Sequence, residues 1–216
     1  IRTPSSTGNR KTFTFSCWFK RTGLSVIGNL FSQYAGSGSG ADKHFRVRFN
    51  TNDTIGVAAF STDVLVTNRV FKDTSAWYHL TLAVDTTQAT DSNRVKLYIN
   101  GTQETSFSST SYPSQNYDYA VNTASYPIRI GADDSDGNGP YGWFDGLMTH
   151  VHLADGTAYA ASTFGSTDAT TGEWKISTSP TFTPGTNGFT ILKDGNTITD
   201  QSANSNNFTL VGGTLT

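Results

Sequence analysis

The feature that most limits how this chain folds is a two-residue alternation of apolar and polar side chains. It recurs along the sequence, and clusters of Gly, Asn, Asp and Pro separate one alternating stretch from the next. Because successive side chains of a β-strand point to opposite faces of a sheet, this period predicts strands with one buried face. Helical periodicity is hard to find anywhere, so we predict an all-β protein.

The first alternating stretch, FTFSCWFK, begins at Phe13 and places Cys17 on the predicted core face. Cys17 is the single cysteine of the 216 residues, so no disulfide can form within them. No cationic neighbour is placed to stabilise a thiolate. We therefore expect a buried, unreactive thiol and a fold held together by packing.

Three further stretches repeat the alternation. One face carries four apolar side chains in AWYHLTLAVD and three in RVKLYING. The stretch HFRVRFN predicts an antiparallel strand with one wet face. Its predicted inward side chains are Phe45, Val47 and Phe49, and its predicted solvent-facing side chains are His44, Arg46 and Arg48.

The dipeptide Asn100-Gly101 is a strong hairpin signal, because both residues tolerate the positive φ of a type I′ turn. With Thr102 it also forms a glycosylation acceptor pattern. The turn explains Asn and Gly together, so we favour the hairpin.

Further alternating stretches bring the strand count above what one sheet holds without a second sheet packed over it. They are YPIRIGA, WFDGLMTHVHL, NGFTIL and NNFTLV. We predict a two-sheet antiparallel β-sandwich as a single domain over residues 1–216. Residues 155–216 would form a loop-rich C-terminal extension packing on it, irregular to Pro184 and ending in two short strands.

Charge and hydropathy argue against two classes of partner. Charged residues make up 15% of the chain, its formal net charge is -2, and no basic cluster recurs along one face. We therefore expect no nucleic-acid partner. No stretch approaches the roughly 20 apolar residues of a membrane span, so we expect no membrane insertion.

The order of the stretches resembles that of a known group of domains. FTFSCWFK is followed by AWYHLTLAVD, RVKLYINGTQ, YPIRIG and WFDGLMTHVHLADGTA. A Trp-Tyr-His strand, a Tyr-Ile-Asn-Gly hairpin and a Phe-Asp-Gly strand recur in this order in laminin G-like, concanavalin A-like jelly-roll domains. RTPSSTGNRKTFTFSCWFKR, FGSTDATTGEWK, GTNGF and DQSANSNNF are similar to the version carried by bacteriophage tail-fibre and other virion proteins.

This resemblance implies a non-catalytic, lectin-like module of a virion or tail fibre that attaches to host-surface glycans. It implies the extracellular virion particle as location, other virion subunits as partners, and a homotrimer. The virion versions start with a further apolar strand, of which Ile1 would be the remnant, so an upstream segment or a neighbouring subunit would complete that edge. The alternative is a structural virion module that decorates a capsid or joins fibre segments.

Glycoside hydrolases of the resembling fold need two carboxylates beside the sugar. The only glutamates here are Glu104 and Glu173, and the E-x-D-x-x-E arrangement of the retaining enzymes is absent. Asp133 and Asp145 could form a pair, but we interpret them as loop and strand-start residues. We therefore predict that the protein is not an enzyme.

Two further patterns carry weak signals of catalysis or metal binding. GSGSG at 36–40 has the letters of a serine-hydrolase elbow, but no helix follows it, which favours a loop. His150 and His152 share a strand face at a spacing that zinc ligands use, yet no third ligand is evident. We interpret them as solvent-facing or hydrogen-bonded residues and His79 as structural.

The loop GADDSDGNGP is the candidate metal site. Asp134, Asp136 and Asn138 fall at alternate positions and Gly139 follows, as in the first half of the calcium-binding pattern D-x-D-x-N-G. Asp145 stands at the twelfth position, although a Phe-Asp-Gly begins this strand in the resembling domains with or without an acidic loop. We predict calcium at the first three residues, with an ion-free polar turn as the alternative.

Aromatic residues mark the predicted ligand site. YPSQNYDYAVNTASY holds four tyrosines among polar residues, and two more aromatic residues flank the acidic loop. Sugar rings stack on aromatic faces while their hydroxyls bond to amides and carboxylates. Some of these rings could instead cover the sandwich edge. The predicted ligand-binding residues are Tyr112, Asn116, Tyr117, Asp118, Tyr119, Tyr141 and Trp143.

Overall fold

The alternating stretches form strands. The structure, a computed structural model, describes residues 1–36, 40, 42–134 and 139–215. Its strands are β1 (Thr12–Arg21), β2 (Gly28–Tyr34), β3 (His44–Phe49), β4 (Thr54–Ala59), β5 (Thr62–Val70), β6 (Tyr78–Asp85), β7 (Val95–Ile99), β8 (Thr102–Gln103), β9 (Phe107–Thr110), β10 (Ile128–Ile130), β11 (Gly146–Asp155), β12 (Gly165–Thr167), β13 (Trp174–Ile176) and β14 (Phe189–Ile191). Short 3₁₀ turns lie at Asp91–Asn93 and Ala161–Thr163.

The strands are arranged in two large antiparallel sheets. Sheet I has the order β14-β11-β1-β6-β7-β8, and sheet II has the order β10-β2-β3-β4-β5-β9. Strands β12 and β13 form a separate pair. Since the apolar faces of both large sheets contribute to one core cluster, the predicted two-sheet sandwich is confirmed.

Aromatic rings from both sheets meet in the core. The ring of Phe15 on β1 lies 4.9 Å from that of Phe31 on β2, and Phe13 meets Phe45 edge to face at 5.5 Å. Cys17 is fully buried beside them, and burial raises the pKa of its thiol. The prediction of a core-facing cysteine is confirmed, and its burial fits an unreactive thiol.

The Asn100-Gly101 turn joins β7 to β8 with Ile99 opposite Thr102, as predicted. Both turn residues have positive φ, 48° and 79°. The Asn100 side-chain oxygen accepts a hydrogen bond from the backbone N–H of His79 at 2.7 Å. Asn100 is therefore part of the turn and its support.

Residues 156–184, here the cover segment, cross the outer face of sheet I. The segment is less irregular than predicted, because β12 and β13 pair within it. Thr14 on β1 donates to the carbonyl of Thr157 at 2.8 Å and accepts from the N–H of Tyr159 at 2.7 Å. The cover segment thus adds a further layer over sheet I.

The end of the chain departs from the prediction of two strands. NGFTIL contains β14, but NNFTLV is not a strand within the described residues. The preceding segment folds instead around the carboxylate of Asp200, which accepts from the N–H groups of Thr190, Ser202 and Asn206. Local side-chain bonds to the backbone thus replace a sheet ladder here.

The described residues contain no helix that is long and apolar enough to cross a membrane.

Candidate functional site

The outer face of sheet II carries His44, Arg46 and Arg48, whose side chains the sequence pattern predicts to face solvent. The exposed fraction of the side chain is 2% for His44, 15% for Arg46 and 19% for Arg48. The prediction of a solvent-facing side chain was therefore wrong for His44, and the two arginines are only partly exposed. The reason is long-range: the segment after β10 folds back over β2 and β3, and the carbonyl of Ala132 accepts a hydrogen bond from Ser32 on β2.

Asp133 connects this overlying segment to β3. Its carboxylate lies 2.8 Å from His44 Nε2 and 3.4 Å from Arg46 Nη1, and it accepts a hydrogen bond from the Tyr141 hydroxyl at 3.1 Å. The N–H of Asp134 also donates to it. Burial alone would raise the pKa of Asp133, but the His44 hydrogen bond and the other donors hold it below its usual value. Asp133 is therefore an anion.

The two arginines use few of their donors. Arg46 donates from Nη2 to the carbonyl of Phe60 at 3.2 Å in addition to its contact with Asp133. The nearest acceptor to Arg48 is Asp63, at 3.7 Å and with a 44% exposed side chain. The buried Nε atoms of both arginines have no hydrogen-bond partner among the described residues. Burial and then the charge of Arg46 lower the pKa of Arg48, against the opposing effect of the Asp63 and Asp133 carboxylates.

Small residues lie opposite the arginines on the neighbouring strand. Arg46 pairs with Ala58 and Arg48 pairs with Gly56 on β4. We name the surface formed by His44, Arg46, Arg48, Asp63, Asp133 and Tyr141 the arginine face. It combines fixed guanidinium donors, carboxylate acceptors and an exposed tyrosine ring, which together can bind hydroxyl and acidic groups.

The tyrosine loop lies elsewhere. Asn116 donates its N–H to the carbonyl of Thr86, and Tyr117 accepts from the Thr86 hydroxyl. Tyr112 and Tyr117 are partly buried against the core cluster, and Asp118 is exposed. Of the predicted ligand residues, the structure brings only Tyr141 to the arginine face.

Tyr119 requires a correction. Only 1% of it is exposed, and its ring packs edge to face at 5.0 Å from that of Phe45. Desolvation by burial raises the pKa of its hydroxyl. Tyr119 is a core residue and cannot stack on a sugar at the surface.

Trp143 belongs to a different surface. It is exposed and lines a cleft of about 220 Å³ together with Leu147, Leu210 and Leu215. The indole ring lies close to Gly212 of the C-terminal segment. The structure therefore separates Trp143 from Tyr141, although the two residues are neighbours in sequence.

The predicted calcium ligands can be placed only in part. Asp136 and Asn138 lie outside the described residues. Asp134 is paired with Arg129 at 2.5 Å. Asp145 accepts a hydrogen bond from Thr22 at 2.5 Å at the end of β1. The described part of the chain contains no group of three or more His, Cys, Asp or Glu residues that could hold a metal ion. Calcium binding stays a prediction.

A buried serine-histidine pair has the wrong proton arrangement for nucleophilic catalysis. Ser16 Oγ lies 2.8 Å from His79 Nε2, while Trp174 donates its indole N–H to His79 Nδ1 at 3.0 Å. Because Nδ1 accepts, Nε2 carries the proton of the neutral ring and cannot take one from serine. Burial lowers the pKa of His79 to about 3.

The other candidates for chemistry are also engaged in structural contacts. His152 is buried with Nδ1 3.0 Å from Thr190 Oγ1, and burial lowers its pKa to about 3. His150 Nδ1 lies 2.9 Å from the neighbouring Thr149 hydroxyl. Glu104 pairs with Arg69 at 2.7 Å. The GSGSG stretch falls largely outside the described residues.

The fold and these contacts agree with the family that the chain belongs to, the concanavalin A-like lectin/glucanases superfamily. The family model, of the laminin G type, matches residues 1–162. A search of curated proteins finds no match to the chain.

Three solved structures are similar to the chain at low sequence identity. A heptameric SAP-like pentraxin from Limulus polyphemus matches with a TM-score of 0.52 and 15% identity, covering 82% of this chain and 84% of the pentraxin. Domain 4 of the arabinanase AbnA from Geobacillus stearothermophilus, in complex with arabinotriose, has a TM-score of 0.49 and 22% identity, covering 75% and 68%. The sialidase CBM40 of Ruminococcus gnavus, bound to alpha2,3 sialyllactose, has a TM-score of 0.43 and 16% identity, covering 68% and 86%.

Sequence reasoning missed Arg46 and Arg48 as site residues. One local signal was present: two arginines alternate on β3, and the antiparallel partner β4 carries Gly56 and Ala58 at the paired positions. Two long cations opposite small residues favour a shallow, donor-rich surface over an ordinary solvated face.

Proposed function

We propose that this chain is a non-catalytic carbohydrate-recognition module that binds saccharides on the arginine face. The observation that carries the proposal is the pair Arg46 and Arg48: both side chains are partly exposed, and the guanidinium of Arg48 makes no hydrogen bond to the described residues. The ionised Asp133 stands beside them as an acceptor. Membership of a superfamily that includes lectins supports the same function.

A non-catalytic role fits the state of the carboxylates. A glycosidase needs one carboxyl group that stays protonated to act as general acid. Asp133 is held ionised by several donors, and Asp145 is bonded to Thr22. These contacts suit binding better than proton transfer.

A saccharide array tests the proposal with the whole chain and two variants of equal charge. Arg48→Met removes the less committed guanidinium, and Lys96→Met removes a cation from β7 of the opposite sheet. We expect saturable binding by the unchanged chain and by Lys96→Met, and at least about tenfold weaker binding by Arg48→Met. Equal binding by all three proteins would place the saccharide elsewhere, and no binding by any of them would refute the function.

We extend the proposal to the setting that the sequence resemblance implies. The module would sit on a bacteriophage virion or tail fibre, as a homotrimer with other virion subunits, and attach to host-surface glycans. Light scattering on the purified chain tests the trimer. Binding of the labelled chain to bacterial cells, with Arg48→Met as the negative control, tests attachment.

A structural virion role is the second candidate function. It is favoured by the apolar cleft, where exposed Leu147, Leu210 and Leu215 lie near Trp143. Exposed apolar patches of this kind are typical of protein contacts. Self-association that Leu147→Ser and Leu210→Ser abolish, in the absence of saccharide binding, would favour this role.

A further inference from the structure

Charges on the arginine face are unevenly matched. The Asp133 carboxylate already contacts the side chains of His44 and Arg46 and accepts hydrogen bonds from the Tyr141 hydroxyl and the N–H of Asp134. Its carboxylate is therefore largely occupied. Asp63, the remaining carboxylate, lies beyond hydrogen-bonding distance of Arg48.

Arg48 is therefore the arginine with unused hydrogen-bonding capacity, since its contact with the half-exposed Asp63 is a 3.7 Å ion pair without a hydrogen bond. Its guanidinium offers five N–H donors in a planar fork. It makes no hydrogen bond to the described residues, and its Nε is buried. A sugar hydroxyl could use one or two of these donors, but a carboxylate can accept two parallel bonds and also neutralise the charge.

The position of Arg48 suits a fixed ligand contact. It pairs with Asn29 on β2 and with Gly56 on β4, so strands hold its backbone on both sides. Arg46 projects from the same face two residues earlier and carries a second cation. A carboxylate near Arg48 would therefore meet two guanidiniums on a rigid sheet, in competition with the half-exposed Asp63 and with Asp133, which is already bonded to its own donors.

We infer that the arginine face selects acidic saccharides, and that the guanidinium of Arg48 binds the carboxylate of a uronic or sialic acid unit. This inference rests on the proposed saccharide-binding function and adds the class of sugar to it. Neutral sugars would use the same face more weakly, because their hydroxyls cannot accept two parallel charge-assisted hydrogen bonds from the guanidinium of Arg48.

The test compares each acidic saccharide with its own neutral form. Galacturonate, mannuronate and sialic acid oligosaccharides are titrated into the whole chain by calorimetry, beside their methyl esters. We expect at least one acid to bind about tenfold more tightly than its ester, with affinity that falls as salt is raised. Arg48→Lys should retain part of this preference, Arg48→Met should lose it, and Lys96→Met should keep it.

Each other outcome is informative. If acids and esters bind equally and Arg48→Met weakens both, the saccharide function stands and the acidic preference is refuted. If sulfated dextran binds as tightly as the best carboxylated sugar, the face recognises anions in general and carboxylate selection is refuted. If no saccharide binds while the melting curves of the variants match that of the unchanged chain, both the function and the inference fail.

Discussion

The outer faces of the two sheets are both polar, yet they bury their polar groups in opposite ways. On sheet I, the cover segment lies over Ser16, His79 and His152, which we call the histidine face. On sheet II, a shorter segment lies over the arginine face and leaves two guanidiniums partly exposed. The chain itself covers the histidine face, whereas the guanidiniums of Arg46 and Arg48 on the arginine face stay partly exposed to solvent.

The histidine face is neutral and mostly satisfied. His79 accepts from Trp174 and bonds to Ser16, and His152 bonds to Thr190. The exception is Trp18, whose buried indole N–H has no partner among the described residues. Groups that can lose their charge can be buried beneath the chain. Arginine cannot lose its charge, and the spare donors of Arg48 are the basis of the proposed saccharide contact.

The largest expected effect is on folding stability, in a comparison of the ion-paired and hydrogen-bonded Arg21 with Arg48, whose guanidinium makes no hydrogen bond to the described residues. Arg21 is buried, pairs with Asp53 at 3.0 Å and donates to the carbonyl of Phe71 at 2.7 Å. Arg21→Met leaves the buried Asp53 carboxylate with the Ser25 hydrogen bonds and the exposed Lys72 at 3.8 Å, and should lower the unfolding free energy by about 3–5 kcal/mol. Arg48→Met should change it by less than about 1 kcal/mol, because it removes no hydrogen bond.

Urea unfolding at neutral pH measures both variants, with Lys96→Met as the surface control. A loss of several kcal/mol in Arg48→Met would mean that this arginine stabilises the fold, and the contrast between the faces would disappear.

The next effect is acid sensitivity of the histidine face. His79 and His152 have pKa values near 3 in the folded chain, chiefly through burial, and about 6.5 when unfolded. The unfolded state therefore binds more protons below pH 6.5, so stability is full above that pH and falls as the pH drops toward 3. Between pH 7 and pH 5 each histidine should cost about 2 kcal/mol.

Unfolding of His152→Asn at several pH values checks this effect, because asparagine keeps a polar group near Nδ1 but does not titrate. The pH-dependent loss between pH 7 and pH 5 should shrink by about 2 kcal/mol, whatever the stability of the variant at pH 7. An unchanged slope of stability against pH would show that other groups cause the loss.

Calcium should have the smallest effect. If Asp134, Asp136 and Asn138 bind the ion, millimolar calcium should raise the melting temperature by a few degrees, about 1 kcal/mol of stabilisation. Asp134→Ala combined with Asp136→Ala should abolish the shift, and magnesium serves as the control ion. No shift in the unchanged chain would leave the loop as a polar turn. This would leave the arginine face without a metal beside it.

Local features were predictable from the sequence, because their causes are local. The Asn100-Gly101 turn needs only two positive φ values, and Cys17 follows from the period of one strand. The two-sheet sandwich followed from the number of such strands. Each of these depends on residues close together in the chain.

The site could not be predicted in the same way, because it depends on which distant segment covers which face. His44 is buried by Asp133, which lies 89 residues later in the chain. Tyr119 looked like a surface ring but fills the core next to Phe45. NNFTLV alternates like a strand, yet the Asp200 loop before it takes up the neighbouring N–H groups.

The contact between the two ends of the described chain has a mechanical consequence. The N–H of Thr209 donates to the carbonyl of Ile1 at 2.8 Å, and Arg2 forms a bridge to Ile128 on β10. A force that pulled these ends apart would have to break the Thr209–Ile1 hydrogen bond and the Arg2–Ile128 bridge before it acted on β1 inside sheet I.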